Sequence, residues 1–168
     1  MTKLPTEKTY REQCYAVLLW VMTILYFYFI SLCSAKPAEL STNESRAIVE
    51  GTLDIVRKTV TIVSDRQPTI VSYTSIVNLV RKSAHILNFC IFGFLCSMTV
   101  FHTNSFNLQK VFKLSILCGL LGAIIDEGHQ FFVPGRCSEL QDVLIDFAGV
   151  YIGCITFYLG LCYFLKNH

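Results

Sequence analysis

Four long apolar stretches dominate the pattern of the chain, and a sizeable polar segment separates the first from the second. The first is free of charge between Glu12 and Lys36 and is rich in aromatic residues. A bilayer core about 30 Å thick requires about 20 mostly apolar residues per helix. By this measure we predict membrane spans over residues 14–34, 80–102, 112–133 and 139–165.

The third and fourth spans contain acidic residues close to one end. The third is long enough only if it continues to Val133, just before the helix-breaking Pro134. This places Asp126 and Glu127 about two turns inside the predicted helix, where charge is costly. The fourth span carries its acids in its opening turns.

The segment between the first two spans predicts an amphipathic helix over residues 42–64. Ser41 and Glu44 have the spacing of a capping box at its start. Apolar residues then recur every three or four positions, which places them on one helical face. They are Val49, Leu53, Val56, Val60 and Val63. We expect this helix to lie on the membrane or to pack against the bundle.

Composition supports a membrane protein and excludes other classes. The 168 residues are 53% hydrophobic and 15% charged, with a mean hydropathy of +0.51, whereas soluble domains have about 25% charged residues. The net charge of +2 comes from scattered cations, so nucleic-acid binding has no electrostatic basis. The fold class is therefore an all-α polytopic membrane protein, with four transmembrane helices and one amphipathic connector helix.

Apart from the flanking Lys113 and His102, the ionisable residues of the spans are predicted to meet at one face of the membrane. Consecutive spans alternate in direction, so the start of the second, the end of the third and the start of the fourth share that face. On the fourth span, Asp142 and Asp146 lie on the same helical side as two glycines, which allow close helix packing. On the third, either His129 or Gln130 lies one turn after Asp126. The candidate site residues are Lys82, His85, Asp126, Glu127, His129, Gln130, Arg136, Asp142 and Asp146.

Three sequence blocks carry a resemblance to a known family. They are RKSAH at 81–85, DEGHQFFVPGR at 126–136 and DVLIDFAG at 142–149. Together they resemble the signature of the VanZ-like family, so we interpret residues 1–168 as a single VanZ-like membrane domain. The resemblance implies a small multi-pass protein of the bacterial cytoplasmic membrane, in a family named after a member that lowers susceptibility to teicoplanin. The resemblance indicates a cellular location but no biochemical reaction.

Two functions compete for this cluster, beside the simpler interpretation of an ion-pair network that locks the helices. In the first, the protein binds an anionic lipid head group, an envelope precursor or a lipoglycopeptide. The binding residues are then Lys82, Gln130, Arg136, Asp142 and Asp146. In the second, it is a hydrolase or transferase acting on a lipid head group or lipid-linked precursor. The catalytic candidates are then His85, Asp126, Glu127 and His129.

Two further interpretations have less support. The histidines and carboxylates could bind a divalent metal ion, but no HExxH spacing is present. The sequence therefore identifies no metal ion and no other cofactor. Ion-coupled transport would need polar groups along the spans, whereas these stop at one end. The partners we expect are membrane lipids and the head-group ligands named above. We favour cytoplasmic termini, which place the polar cluster outside the cytoplasm.

Overall fold

The fold consists of five helices in the part of the chain that the structure, a computed structural model, describes: residues 7–59, 70–103, 108–135 and 140–167. Side chains are described for 10–52, 73–103, 108–135 and 140–167. These residues contain no strand, which confirms the all-α prediction. The helices are α1 (Glu7–Ser34), α2 (Ala38–Thr59), α3 (Ile70–Thr103), α4 (Leu108–Gln130) and α5 (Leu140–Asn167).

Four of the helices are long and apolar enough to cross a membrane, as the sequence predicts. They are α1, α3, α4 and α5. Large apolar side chains such as Val17, Ile24 and Phe29 are exposed on α1, where lipid would surround them. Its buried positions face the bundle and include Thr23, whose hydroxyl shares a 2.8 Å hydrogen bond with Thr99 of α3.

Helix α3 is the centre of the bundle and contacts each of the other four helices, most extensively α5. Glycines on α5 make this approach possible. A Cβ at Gly149 would overlap the carbonyl oxygen of Ile86, and one at Gly153 would overlap that of Cys90. Without side chains at these two positions, the α5 backbone lies directly against the α3 backbone.

Helix α2 begins earlier than its sequence suggests, so the capping-box prediction is wrong. The amide of Ser41 already donates a helical hydrogen bond to the Pro37 carbonyl at 3.1 Å. Proline suits a helix start because it has no amide hydrogen to satisfy there. Tyr73 of α3 donates a 2.9 Å hydrogen bond to Glu50, and Val49 is buried. The remaining predicted stripe residues, Leu53, Val56, Val60 and Val63, lie outside the described side chains.

The ends of two helices differ from the predicted spans. Helix α3 starts at Ile70 and has 34 residues, about 51 Å at 1.5 Å per residue, so it is longer than a bilayer core. Helix α4 ends at Gln130, and a turn closed by the Val133 amide and the Gln130 carbonyl follows. Asp126 is therefore about one turn from the helix end, where two turns were predicted.

Candidate functional site

The polar cluster forms where the last turn of α4 meets the middle of α3 and the start of α5. His85 lies on α3, Asp126 on α4 and Asp146 on α5. One ligand atom from each of these side chains lies within 4.8 Å of the other two. We call His85, Asp126 and Asp146 the buried triad. Gly149, one turn after Asp146, lets α5 pack directly against α3. This close packing places Asp146 of α5 next to His85 of α3.

Asp146 is almost completely enclosed, with 1% of its surface exposed. Its Oδ1 lies 3.3 Å from Nδ1 of His85. This is an ion-pair contact, and apart from it neither Asp146 oxygen has a hydrogen-bond partner among the described residues. His85 attracts the Asp146 carboxylate, and Asp126 and Glu127 repel it less strongly. The carboxylate is thus buried with one histidine beside it and negative charge around it.

Asp126 is fully buried and is held through one oxygen only. Its Oδ2 accepts a 2.7 Å hydrogen bond from the Ser34 hydroxyl and a 2.9 Å hydrogen bond from the Gln130 amide. Its Oδ1 has no hydrogen-bond partner among the described residues. Two neutral donors therefore fix the orientation of the carboxylate and leave the other oxygen bare.

The structure resolves the choice between the two residues one turn after Asp126. Gln130 is buried and bonded to Asp126, whereas His129 is exposed. Glu127 is 2% exposed and points into the protein beside Asp126. Of the two histidines proposed as catalytic bases, only His85 lies in the triad.

A second, outer layer of charge lies one turn closer to the bundle end. Lys82 Nζ lies 3.0 Å from Asp142 Oδ1, and each side chain is 30% exposed. Arg81 is half-buried beside Lys82 in the sequence. Arg136, predicted as a binding residue, and Cys137 lie outside the described residues. The described site therefore has a partly exposed ion pair in front of a buried acidic interior.

The comparisons with known proteins yield one match. A family model described as VanZ/LLP1 matches residues 19–163. The chain belongs to the VanZ/LLP1 family. This confirms the resemblance carried by residues 81–85, 126–136 and 142–149, and the match extends well beyond those blocks. No curated protein and no solved structure matches the chain.

The polar cluster includes a residue that the sequence analysis does not single out. Ser34, the last residue of α1, is 2% exposed and donates to Asp126. The alternating direction of the spans could have indicated Ser34, because the end of the first span lies at the same membrane face as the end of the third. A small hydroxyl residue there can reach an acid without bringing charge.

The chemistry available to this VanZ/LLP1 site differs between its two layers. The outer lysine can contact a phosphate or carboxylate. The buried triad offers imidazole nitrogen and carboxylate oxygen, which bind cations or exchange protons. A catalytic role for His85, Asp126 and Glu127 requires a substrate that reaches the inner layer.

Proposed function

We propose that this VanZ/LLP1 protein is a binding protein of the bacterial cytoplasmic membrane that receives the anionic head group of an envelope molecule. The ligand is a lipid, an envelope precursor or a lipoglycopeptide. The observation that carries the proposal is the Lys82–Asp142 ion pair, which is partly exposed in front of buried polar groups. Antibiotic resistance, the usual association of the family, is consistent with such a role.

The Lys82–Asp142 pair suits exchange of one anion for another. Partly exposed ion pairs contribute only about 0–1 kcal/mol to stability, so breaking one costs little. An incoming phosphate or carboxylate can replace Asp142 as the partner of Lys82. The displaced carboxylate would turn toward solvent, which its 30% exposure allows.

Exposed aromatic residues support a ligand that enters from the lipid side. Phe131 and Phe132 follow α4 directly and are 68% and 81% exposed. Exposed phenylalanine rings at a helix end suit the boundary between the lipid head groups and the acyl chains. An acyl chain can thus remain in the bilayer while its head group reaches Lys82. Arg136 completes the proposed contacts as a prediction, while Gln130 and Asp146, which the sequence also predicts as binding residues, are buried behind the ion pair.

Lipid retention tests the proposal directly. Wild type, Lys82→Gln and Lys113→Gln are purified in mild detergent from the same host, and bound lipids are measured by native mass spectrometry. Lys113 is exposed near the start of α4, at the opposite end of the bundle, and serves as the matched control. We expect Lys82→Gln to lose anionic lipid while Lys113→Gln keeps it. Equal retention in all three proteins would exclude Lys82 as a head-group contact.

Antibiotic binding tests the lipoglycopeptide form of the proposal. Teicoplanin binding to cells is compared between wild type, Lys82→Gln and Arg136→Ala. We expect cells with either variant to bind less teicoplanin and to be more susceptible to it, because the cations at this end of the bundle would hold the antibiotic. Unchanged antibiotic binding and susceptibility in both would remove lipoglycopeptides from the ligand class.

We also propose that both termini lie in the cytoplasm, so that the site opens to the outside. An even number of spans places the two termini on one face. A variant that keeps Cys137 alone is treated on intact cells with a membrane-impermeant thiol reagent. We expect the reagent to label Cys137 on intact cells. In a second variant, Asn167→Cys in an otherwise cysteine-free chain, we expect labelling only after the cells are permeabilised. The reverse pattern would invert the orientation.

A further inference from the structure

We propose that the buried triad of His85, Asp126 and Asp146 binds a divalent first-row transition metal ion, with Zn²⁺ or Mn²⁺ as the fitting ions. The inference concerns the inner layer and does not depend on head-group binding at Lys82. It rests on three observations: the distances among the ligand atoms, the bare oxygens of the two aspartates, and the local balance of charge.

The distances match a shared ion. A tetrahedral ion with bonds of about 2.1 Å holds its ligand atoms roughly 3.4 Å apart. His85 Nδ1 and Asp146 Oδ1 are separated by 3.3 Å, and all three ligand atoms lie within 4.8 Å of one another. The wider pairs would have to close around the ion. The residues come from three different helices, so the ion would join α3, α4 and α5.

The bare oxygens point to a missing partner. Asp126 is 0% and Asp146 is 1% exposed, yet Asp126 Oδ1 and Asp146 Oδ2 have no hydrogen-bond partner among the described residues, and Asp146 Oδ1 has the 3.3 Å ion-pair contact with His85. Buried polar atoms are nearly always satisfied in folded proteins. The other oxygen of Asp126 is fixed by Ser34 and Gln130. Such outer contacts are typical of carboxylates that bind metal ions.

The charge balance favours a dication. Among the described hydrogen bonds, Asp126 receives only the neutral donors Ser34 and Gln130, while Lys82 is paired with Asp142 in the outer layer. Buried carboxylates are costly unless they are paired or bind a metal ion. One divalent ion would neutralise both aspartates. The imidazole ligand favours a transition metal over Mg²⁺ or Ca²⁺, which prefer oxygen ligands.

Metal analysis of the full-length protein tests the site. The protein is purified in detergent without chelator, and its metal content is measured by elemental mass spectrometry. Stripped protein is then titrated calorimetrically with Zn²⁺ and separately with Mn²⁺. We expect about one site per chain in wild type and at least a tenfold loss of affinity in His85→Gln and in Asp146→Asn. His129→Gln is the matched control, because His129 is exposed near the same bundle end, and should bind within twofold of wild type.

The outer contact to Asp126 gives a second, milder test. Ser34→Ala should weaken metal binding about 10- to 100-fold, as loss of such contacts does in other metal sites. Ser31→Ala, one turn earlier on α1, should leave the affinity unchanged. Circular dichroism and a single elution peak verify that each variant is folded. If Asp146→Asn does not fold, His85→Gln and Ser34→Ala still give the answer.

Two results would overturn the inference. One is the absence of both a co-purified ion and a binding signal with Zn²⁺ or Mn²⁺ in wild type. The other is binding by wild type that His85→Gln and Asp146→Asn retain in full, which would locate the ion elsewhere. Neither result bears on Lys82, so failure of the metal site and failure of the head-group proposal are distinguishable.

Discussion

The contact between α3 and α5 is tight enough that one added methyl group should separate the helices. At Gly153, a Cβ would overlap the carbonyl oxygen of Cys90 and lie 2.8 Å from the amide nitrogen of Phe94. Both are backbone atoms of α3, which cannot rotate away as a side-chain end can. In Gly153→Ala, the two helices must therefore move apart locally by on the order of 1 Å, and a gap of that size forfeits about half of a van der Waals contact.

The expected magnitude follows from two opposing effects. Overpacking of this kind costs about 1–3 kcal/mol. Alanine in a helix is intrinsically about 1 kcal/mol better than glycine. Gly160 lies on the same helix, and a Cβ there would meet nothing within 4 Å. Gly160→Ala should thus gain up to about 1 kcal/mol, and because this gain is common to both variants, they should differ by the overpacking cost of roughly 1–3 kcal/mol.

Reversible unfolding in mixed detergent micelles measures this difference. The sodium dodecyl sulfate fraction is raised stepwise, and helix content is followed by circular dichroism for wild type and both variants. The free energy of unfolding should decrease in the order Gly160→Ala, wild type, Gly153→Ala. If Gly153→Ala is as stable as Gly160→Ala, the backbones of α3 and α5 are not in contact and the positioning of His85 against Asp146 needs another cause.

Two further glycines give predictions of different kinds in the same assay. A Cβ at Gly119 would overlap the side chain of Val150, so Gly119→Ala should destabilise the protein by about 1–3 kcal/mol. Val150→Ala should partly restore the stability of this variant. Additive effects of the two substitutions in a double-mutant cycle would contradict this packing. Gly135 has a φ of 77°, so Gly135→Ala should lower the free energy of unfolding by about 1–2 kcal/mol. A Cβ at Gly128 would meet nothing within 4 Å, so Gly128→Ala should be neutral or stabilising. Equal stabilities of the two variants would refute the left-handed conformation at Gly135.

The spans and the shared face of the ionisable residues were predictable because both follow from simple rules. Span length is set by bilayer thickness, and alternation of direction decides which helix ends meet. These rules bring Asp126, Asp146 and His85 to one end, where the structure has them. They do not fix the exact helix ends. The turn after Gln130 ends α4 before Val133, because the Val133 amide is used in the turn.

The partner of Asp126 was not predictable from spacing alone. Residues three and four positions later lie almost equally close on a helix surface. The choice depends on the rotation of α4 about its axis, which is set where Gly119 meets Val150 and Gly122 meets Phe92. That rotation turns Gln130 inward and His129 outward. It is a property of tertiary packing and has no counterpart in the periodicity.

Packing and charge are in opposition at the buried triad. The close approach of α3 and α5 at Gly149 brings His85 to Asp146, while Asp126 and Glu127 repel the same carboxylate. The contact with His85 and the apolar contacts of the bundle therefore offset a repulsion at its end. A cation bound between the aspartates would reverse the sign of that local interaction, and it would stabilise the folded state by mass action. Stability of this end of the bundle and occupation of the site are consequently linked, so each can be measured through the other.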